Sequence, residues 1–149
     1  MTSLDILSPE ARRAIFALMW RMARADGLLA RDELAALAGA RLAFGLLGDR
    51  APPPLELVPD RLSTRERLLA YAAVAWLALA DGIQARAETR LLEELRARFA
   101  LGRETAAFLE GHARWVRSST ELPWHRELDF LLTEAARRVD LVLRHRRAA

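Results

Sequence analysis

Ala25-Asp26-Gly27-Leu28-Leu29-Ala30-Arg31-Asp32-Glu33 returns at an offset of 55 as Ala80-Asp81-Gly82-Ile83-Gln84-Ala85-Arg86-Ala87-Glu88. Six of the nine positions are identical and a seventh pairs Leu28 with Ile83, so the two stretches read as copies of one unit. The agreement continues outward, with Phe16 over Tyr71, Leu37 over Leu92 and Phe44 over Phe99. Each copy closes an apolar helical run with Gly and opens the next with Glu in its first turn, the grammar of a helix–turn–helix. Two such hairpins in 149 residues predict an all-α bundle with pseudo-symmetric repeats.

Working outward from the turns, Ser8-Pro9-Glu10 opens the first long helix, with Ser8 as N-cap and Pro9 where its missing N–H costs nothing. That helix is expected to reach about Ala25, and its partner to run from about Arg31 to Leu46. Gly48-Asp49-Arg50-Ala51-Pro52-Pro53-Pro54 and Pro59 interrupt any helix, so the stretch 48–62 reads as a connection between repeats. Ser63-Thr64-Arg65-Glu66 is a capping box that starts a third helix ending near Ala80. Further helices are expected at about 86–100, 104–116 and 124–146, with Ser118 to Pro123 as a loop. The expected organisation is one domain of about six helices: repeat 1 over 8–46, repeat 2 over 63–101 and C-terminal helices over 103–147. The first and third of these helices should be the most buried.

Composition narrows the chemistry. There is no cysteine, which excludes disulfides, thiolate catalysis and Cys-ligated zinc. All 23 basic residues are arginine, which removes lysine Schiff-base chemistry. A net charge of +3 is modest, and a pI near 10.7 reflects arginines that never titrate rather than a nucleic-acid-binding chain. The longest apolar stretch, Leu68 to Ala80, is too short for a membrane span of roughly 20 residues and suits a buried helix. The first residues lack the basic-then-apolar pattern of a signal peptide, so a cytoplasmic location is expected. No Gly-rich phosphate loop, hydrolase nucleophile motif or metal-spaced histidine pair is present, and no enzymatic activity is expected.

The doubled Ala-Asp-Gly…Glu turn resembles the TerB-like tellurite-resistance domains and the N-terminal domain of membrane-anchored DnaJ-type co-chaperones. The resemblance spans roughly residues 8–110. It implies an all-α fold, a bacterial stress-response role and divalent-cation binding, Ca²⁺ or Mg²⁺, by Asp26, Glu33, Asp81 and Glu88. The chain departs from the family pattern in placing Ala30 and Ala85 where an N-cap Ser or Thr is usual, in being basic, and in setting Arg31 and Arg86 beside the acids.

Two readings of these carboxylates stand side by side. Oxygen ligands of this kind suit a hard cation. Neither turn is an EF-hand, because Met22 and Arg24, and Leu77 and Leu79, fill the first ligand positions of such a loop. Alternatively, an Asp before a Gly turn accepts amide hydrogens, and a Glu in the first turn bonds back to free N–H groups. The acids are then turn chemistry, and the chain is an adaptor that binds protein partners.

Four tryptophans remain. Trp76 lies in the apolar helix and Trp20 at its neighbour's edge, both expected in or beside the core. Trp115 and Trp124 flank a loop and are the candidate anchors for a protein partner. His112, His125 and His145 read as solvated or capping side chains. The C-terminal arginines Arg137, Arg138, Arg144, Arg146 and Arg147 read as solvated charge suited to a helix end.

Overall fold

Ser8 and Ser63 start the two most buried helices in the same way. The computed structural model describes residues 2–25, 27, 29–48, 62–80, 82 and 85–148, the side chains at 142, 143 and 145–148 excepted. Ser8 (φ −65°, ψ 156°) accepts the Ala11 amide through its hydroxyl, with Pro9 at the first helical position. Ser63 (φ −65°, ψ 164°) accepts the Glu66 amide at 3.1 Å while Glu66 accepts the Ser63 amide at 3.0 Å, completing the capping box. The two caps are joined, because the Ser8 hydroxyl also donates to Glu66 Oε2 at 3.0 Å.

Seven helices and no strand are formed among the described residues: α1 (Ser3–Ile6), α2 (Pro9–Ala23), α3 (Arg31–Ala43), α4 (Thr64–Ala78), α5 (Arg86–Arg98), α6 (Arg103–Ser119) and α7 (Trp124–Ala148). The protein is an all-α helical bundle. The duplication extends to the helix boundaries. Pro9 and Thr64, Ala23 and Ala78, Arg31 and Arg86, and Ala43 and Arg98 each differ by the same 55 positions. Gly27 and Gly82 both take φ +79°, the left-handed conformation that lets the chain leave a helix sharply. Ala100, which closes α5, adopts φ 55° where its repeat equivalent is Gly45, a conformation that costs a residue bearing a Cβ about 1 kcal/mol.

α4 is the axis. Eleven of its fifteen residues are buried, against seven of fifteen in α2 and three of thirteen in α5. A helix that is apolar all round needs neighbours on every side, and α4 packs against α2, α6 and α7. α3 lies chiefly on α7, at an approach only glycine permits. A Cβ on Gly39 would stand 2.6 Å from Trp124 Cβ and 2.9 Å from the His125 amide nitrogen. The buried side chains of α1 to α7 form one continuous core from Ile6 to Val139.

The helices of the repeats end two or three residues before the sequence-based expectation. Their last turns tighten into three-residue bonding, as in Ala25 N–H to Met22 C=O and Ala80 N–H to Leu77 C=O. α1 was not anticipated. It is held by Asp129 of α7, whose Oδ1 accepts the Ser3 amide at 2.9 Å and the Ser3 hydroxyl at 2.5 Å. The Pro-rich connection lies almost wholly outside the described residues. No helix among the described residues is long and apolar enough to cross a membrane.

Candidate interaction site

The acidic turns come first, since the sequence singles them out. Asp26 and Asp81 lie outside the described residues. Glu33 and Glu88 occupy the third position of α3 and α5 and are each only 2% exposed. Their N-cap positions hold Ala30 and Ala85, which have no side-chain oxygen to receive an amide. In the second copy the glutamate supplies half a capping box, with the Ala85 amide donating to Glu88 Oε1 at 3.0 Å. Among the described residues no three His, Asp or Glu side chains are placed to hold a metal ion.

Beneath the second turn sits a polar knot that the sequence did not announce. Glu127, 2% exposed on α7, accepts the Trp76 indole N–H at 3.0 Å. Arg117 of α6 donates one guanidinium nitrogen to both Glu127 oxygens, at 3.0 and 3.3 Å. Its other terminal nitrogen reaches the Ala80 carbonyl at 3.4 Å. The guanidinium also covers the Trp124 ring, 4.4 Å from its centroid, while Trp124 meets Trp76 edge-on at 5.7 Å. Trp124 is therefore partly buried packing between α4, α6 and α7. Farther along α4, the Tyr71 hydroxyl donates to Glu110 at 3.1 Å. Burial and the Glu110 charge push that hydroxyl's pKa far above its ordinary range, so it stays protonated.

The exposed face of α6 is the largest aromatic surface among the described residues. α6 buries Ala106, Leu109, His112, Ala113 and Val116. On the opposite side it turns Glu104, Ala107, Phe108, Arg114 and Trp115 to solvent, with Gly111 between them. Phe108 is 47% exposed and Trp115 50%. Between them the His112 ring stacks on Phe108 (6.4 Å, 4°) and on Trp115 (6.1 Å, 19°), and Trp115 leans on Phe130 of α7 at 6.2 Å. The Arg138 guanidinium stands 5.8 Å over Phe108. A groove of about 390 Å³ runs on one side of Phe108, along Leu68, Leu101 and Val139. A second of about 370 Å³ lies over Ala107, Gly111 and Trp115, and Arg138 borders both.

His112 is neither solvated nor a cap, contrary to the sequence-based expectation. It is 5% exposed and its Nε2 lies 3.3 Å from the Leu131 carbonyl, which makes that nitrogen the N–H donor. His145 and the side chains of Arg146 and Arg147 lie outside the described residues. Trp115 and Trp124 do not form one patch. The first belongs to the aromatic face, the second to the polar knot. Phe108 was missed, although Glu104, Phe108, Gly111 and Trp115 recur at four- and three-residue spacing and mark a single helix face. No family model, curated protein or solved structure matches this chain.

Proposed function

We propose that this chain is a non-enzymatic interaction module, an adaptor whose working surface is the aromatic face of α6 against α7. The observation that carries this reading is the pairing of Phe108 and Trp115, half exposed on either side of Gly111 and bordered by Arg138. Large aromatics and arginine concentrate at the energetic centres of protein interfaces. Among the described residues, the outward halves of these rings stay open to solvent. The glutamates of the repeat turns serve the starts of α3 and α5 in this reading, and the domain is one unit built from the two hairpins.

The test is affinity capture from cells with the wild-type chain and with a Phe108→Ser/Trp115→Ser variant shown by circular dichroism to remain folded. Partners lost with the two rings alone support the reading. Identical capture by both proteins removes it.

A second reading follows the resemblance to TerB-like stress-response domains, with Ca²⁺ or Mg²⁺ held by Asp26, Glu33, Asp81 and Glu88. It is favoured by one observation: the repeat-related glutamates Glu33 and Glu88 are each buried to 2% in the first turn after their loops. Calorimetric titration of the metal-stripped protein with each cation, beside the Asp26→Asn/Asp81→Asn variant, decides it.

A further inference from the structure

We infer that the aromatic face of α6 pairs with the same face of a second copy of this chain, the two α6 helices running antiparallel about a two-fold axis at the level of Leu109. The inference rests on reading this face as an interaction surface and names its occupant.

The face is self-complementary. Two-fold pairing brings each residue opposite the one whose number completes a fixed sum, so one helix face must match its own reverse. On the solvent side of α6, Glu104 lies five positions before Leu109 and Arg114 five positions after it. Both are exposed, so two-fold pairing sets Glu104 of each copy against Arg114 of the other, twice. Ala107 and Gly111 lie two positions on either side of Leu109, so the smallest side chains of the face meet where the helices cross. Phe108 lies one position from the crossing level and on the same flank in both copies, so the two rings meet beside the crossing.

Gly111 adds an independent mark. A Cβ built there meets nothing within 4 Å, unlike Gly39, where α7 stands in the way. Glycine inside a helix is unfavourable, and no contact among the described residues requires it. A second helix backbone crossing at Gly111 does. Arg117, also basic and on the same helix, takes no part, being turned inward onto Glu127. Parallel pairing would put Glu104 against Glu104 and Arg114 against Arg114, which like charge disfavours.

Sedimentation equilibrium of the full chain over a wide concentration range is the experiment. A dimer is expected. Phe108→Ser or Trp115→Ser weakens it by roughly tenfold or more. Gly111→Ala raises the melting midpoint of the monomer while weakening the dimer, so a folding defect cannot explain the loss. Glu104→Arg and Arg114→Glu each weaken association, and the double exchange Glu104→Arg/Arg114→Glu restores it, since the pairs are swapped with their signs. A dimer indifferent to all these changes overturns the assigned face. Single exchanges that weaken association without rescue in the double overturn the antiparallel register. A monomer at every concentration overturns self-pairing. If that monomer still captures another protein through Phe108 and Trp115, the interaction-module reading survives on its own.

Discussion

Glu127 accepts the indole hydrogen of Trp76 at 3.0 Å inside the bundle, joining α7 to the last turn of the most apolar helix. The contact is sealed by Arg117, which neutralises the carboxylate, reaches the Ala80 carbonyl and stacks on Trp124. One buried acid therefore ties together the end of α4, the end of α6 and the start of α7. A carboxylate at 2% exposure is tolerable only because every partner is present. Truncating one side of such a pair costs about 3–5 kcal/mol. Arg117→Ala and Glu127→Ala are each expected to lower stability by about 3 kcal/mol, read as the midpoint of urea unfolding. Because both remove one network, the double variant should fall well short of the sum, and additive losses would show that the two groups act separately.

The repeat and its boundaries were legible because turn chemistry is local. Ser8, Ser63, Gly27 and Gly82 declare their roles within four residues of chain. What could not be read depends on groups far apart. α1 is held by Asp129 across nearly the whole chain, and the Trp76–Glu127–Arg117 knot joins three helices, so neither leaves a periodic signature. The candidate interaction face was half legible. Trp115 stands beside a loop as a lone aromatic, whereas Phe108 lies within a helix and only the packing of α6 shows that it turns outward. Repeat divergence has a physical cause too. Gly39 answers to Glu94 in the second hairpin because α7 rests on α3 there, while Glu94 meets Arg21 at 3.5 Å on the open side of α5.

That asymmetry at Gly39 gives a stability test. Alanine improves helix propensity over glycine by roughly 1 kcal/mol. Here the added methyl would collide with Trp124 Cβ and with the His125 backbone, neither of which is the yielding end of a flexible side chain. Overpacking of this sort costs about 1–3 kcal/mol. Gly39→Ala is expected to melt lower than wild type by a few degrees. A higher melting midpoint would mean that α3 and α7 approach less closely than described.

His112 makes stability depend on pH in the mildly acidic range. Burial lowers its pKa below the ordinary value, the Leu131 carbonyl partly opposes that, and the Arg138 charge lowers it further, with Glu134 pulling the other way. The unfolded chain, with an ordinary histidine near pKa ~6.5, then binds the proton more tightly than the folded one. Stability from the neutral ring is complete above that value and declines as pH falls from it toward the depressed folded value. Thermal melts between neutral and mildly acidic pH should show the decline, and His112→Gln should flatten it. An unchanged pH profile in the variant would assign the decline to other groups. If the α6 face is occupied by a partner, desolvation of the stack should deepen the effect.

The glutamates of the two turns divide the structural reading from the cation reading. Glu88 receives the Ala85 amide at 3.0 Å, and its helix has no N-cap oxygen to replace it. Removing a cap of this kind costs about 1 kcal/mol. Glu88→Ala is therefore expected to melt lower in chelator-treated buffer, by the same margin with or without millimolar Ca²⁺ or Mg²⁺. The wild type itself should not respond to either ion. A ligand at 100 times its dissociation constant would instead stabilise it by roughly 2.7 kcal/mol, a shift of several degrees. A cation-dependent shift that disappears in both Glu88→Ala and Asp26→Asn/Asp81→Asn would make the paired turns a metal site. The burial of Glu33 and Glu88 would then be explained by the ion rather than by helix capping.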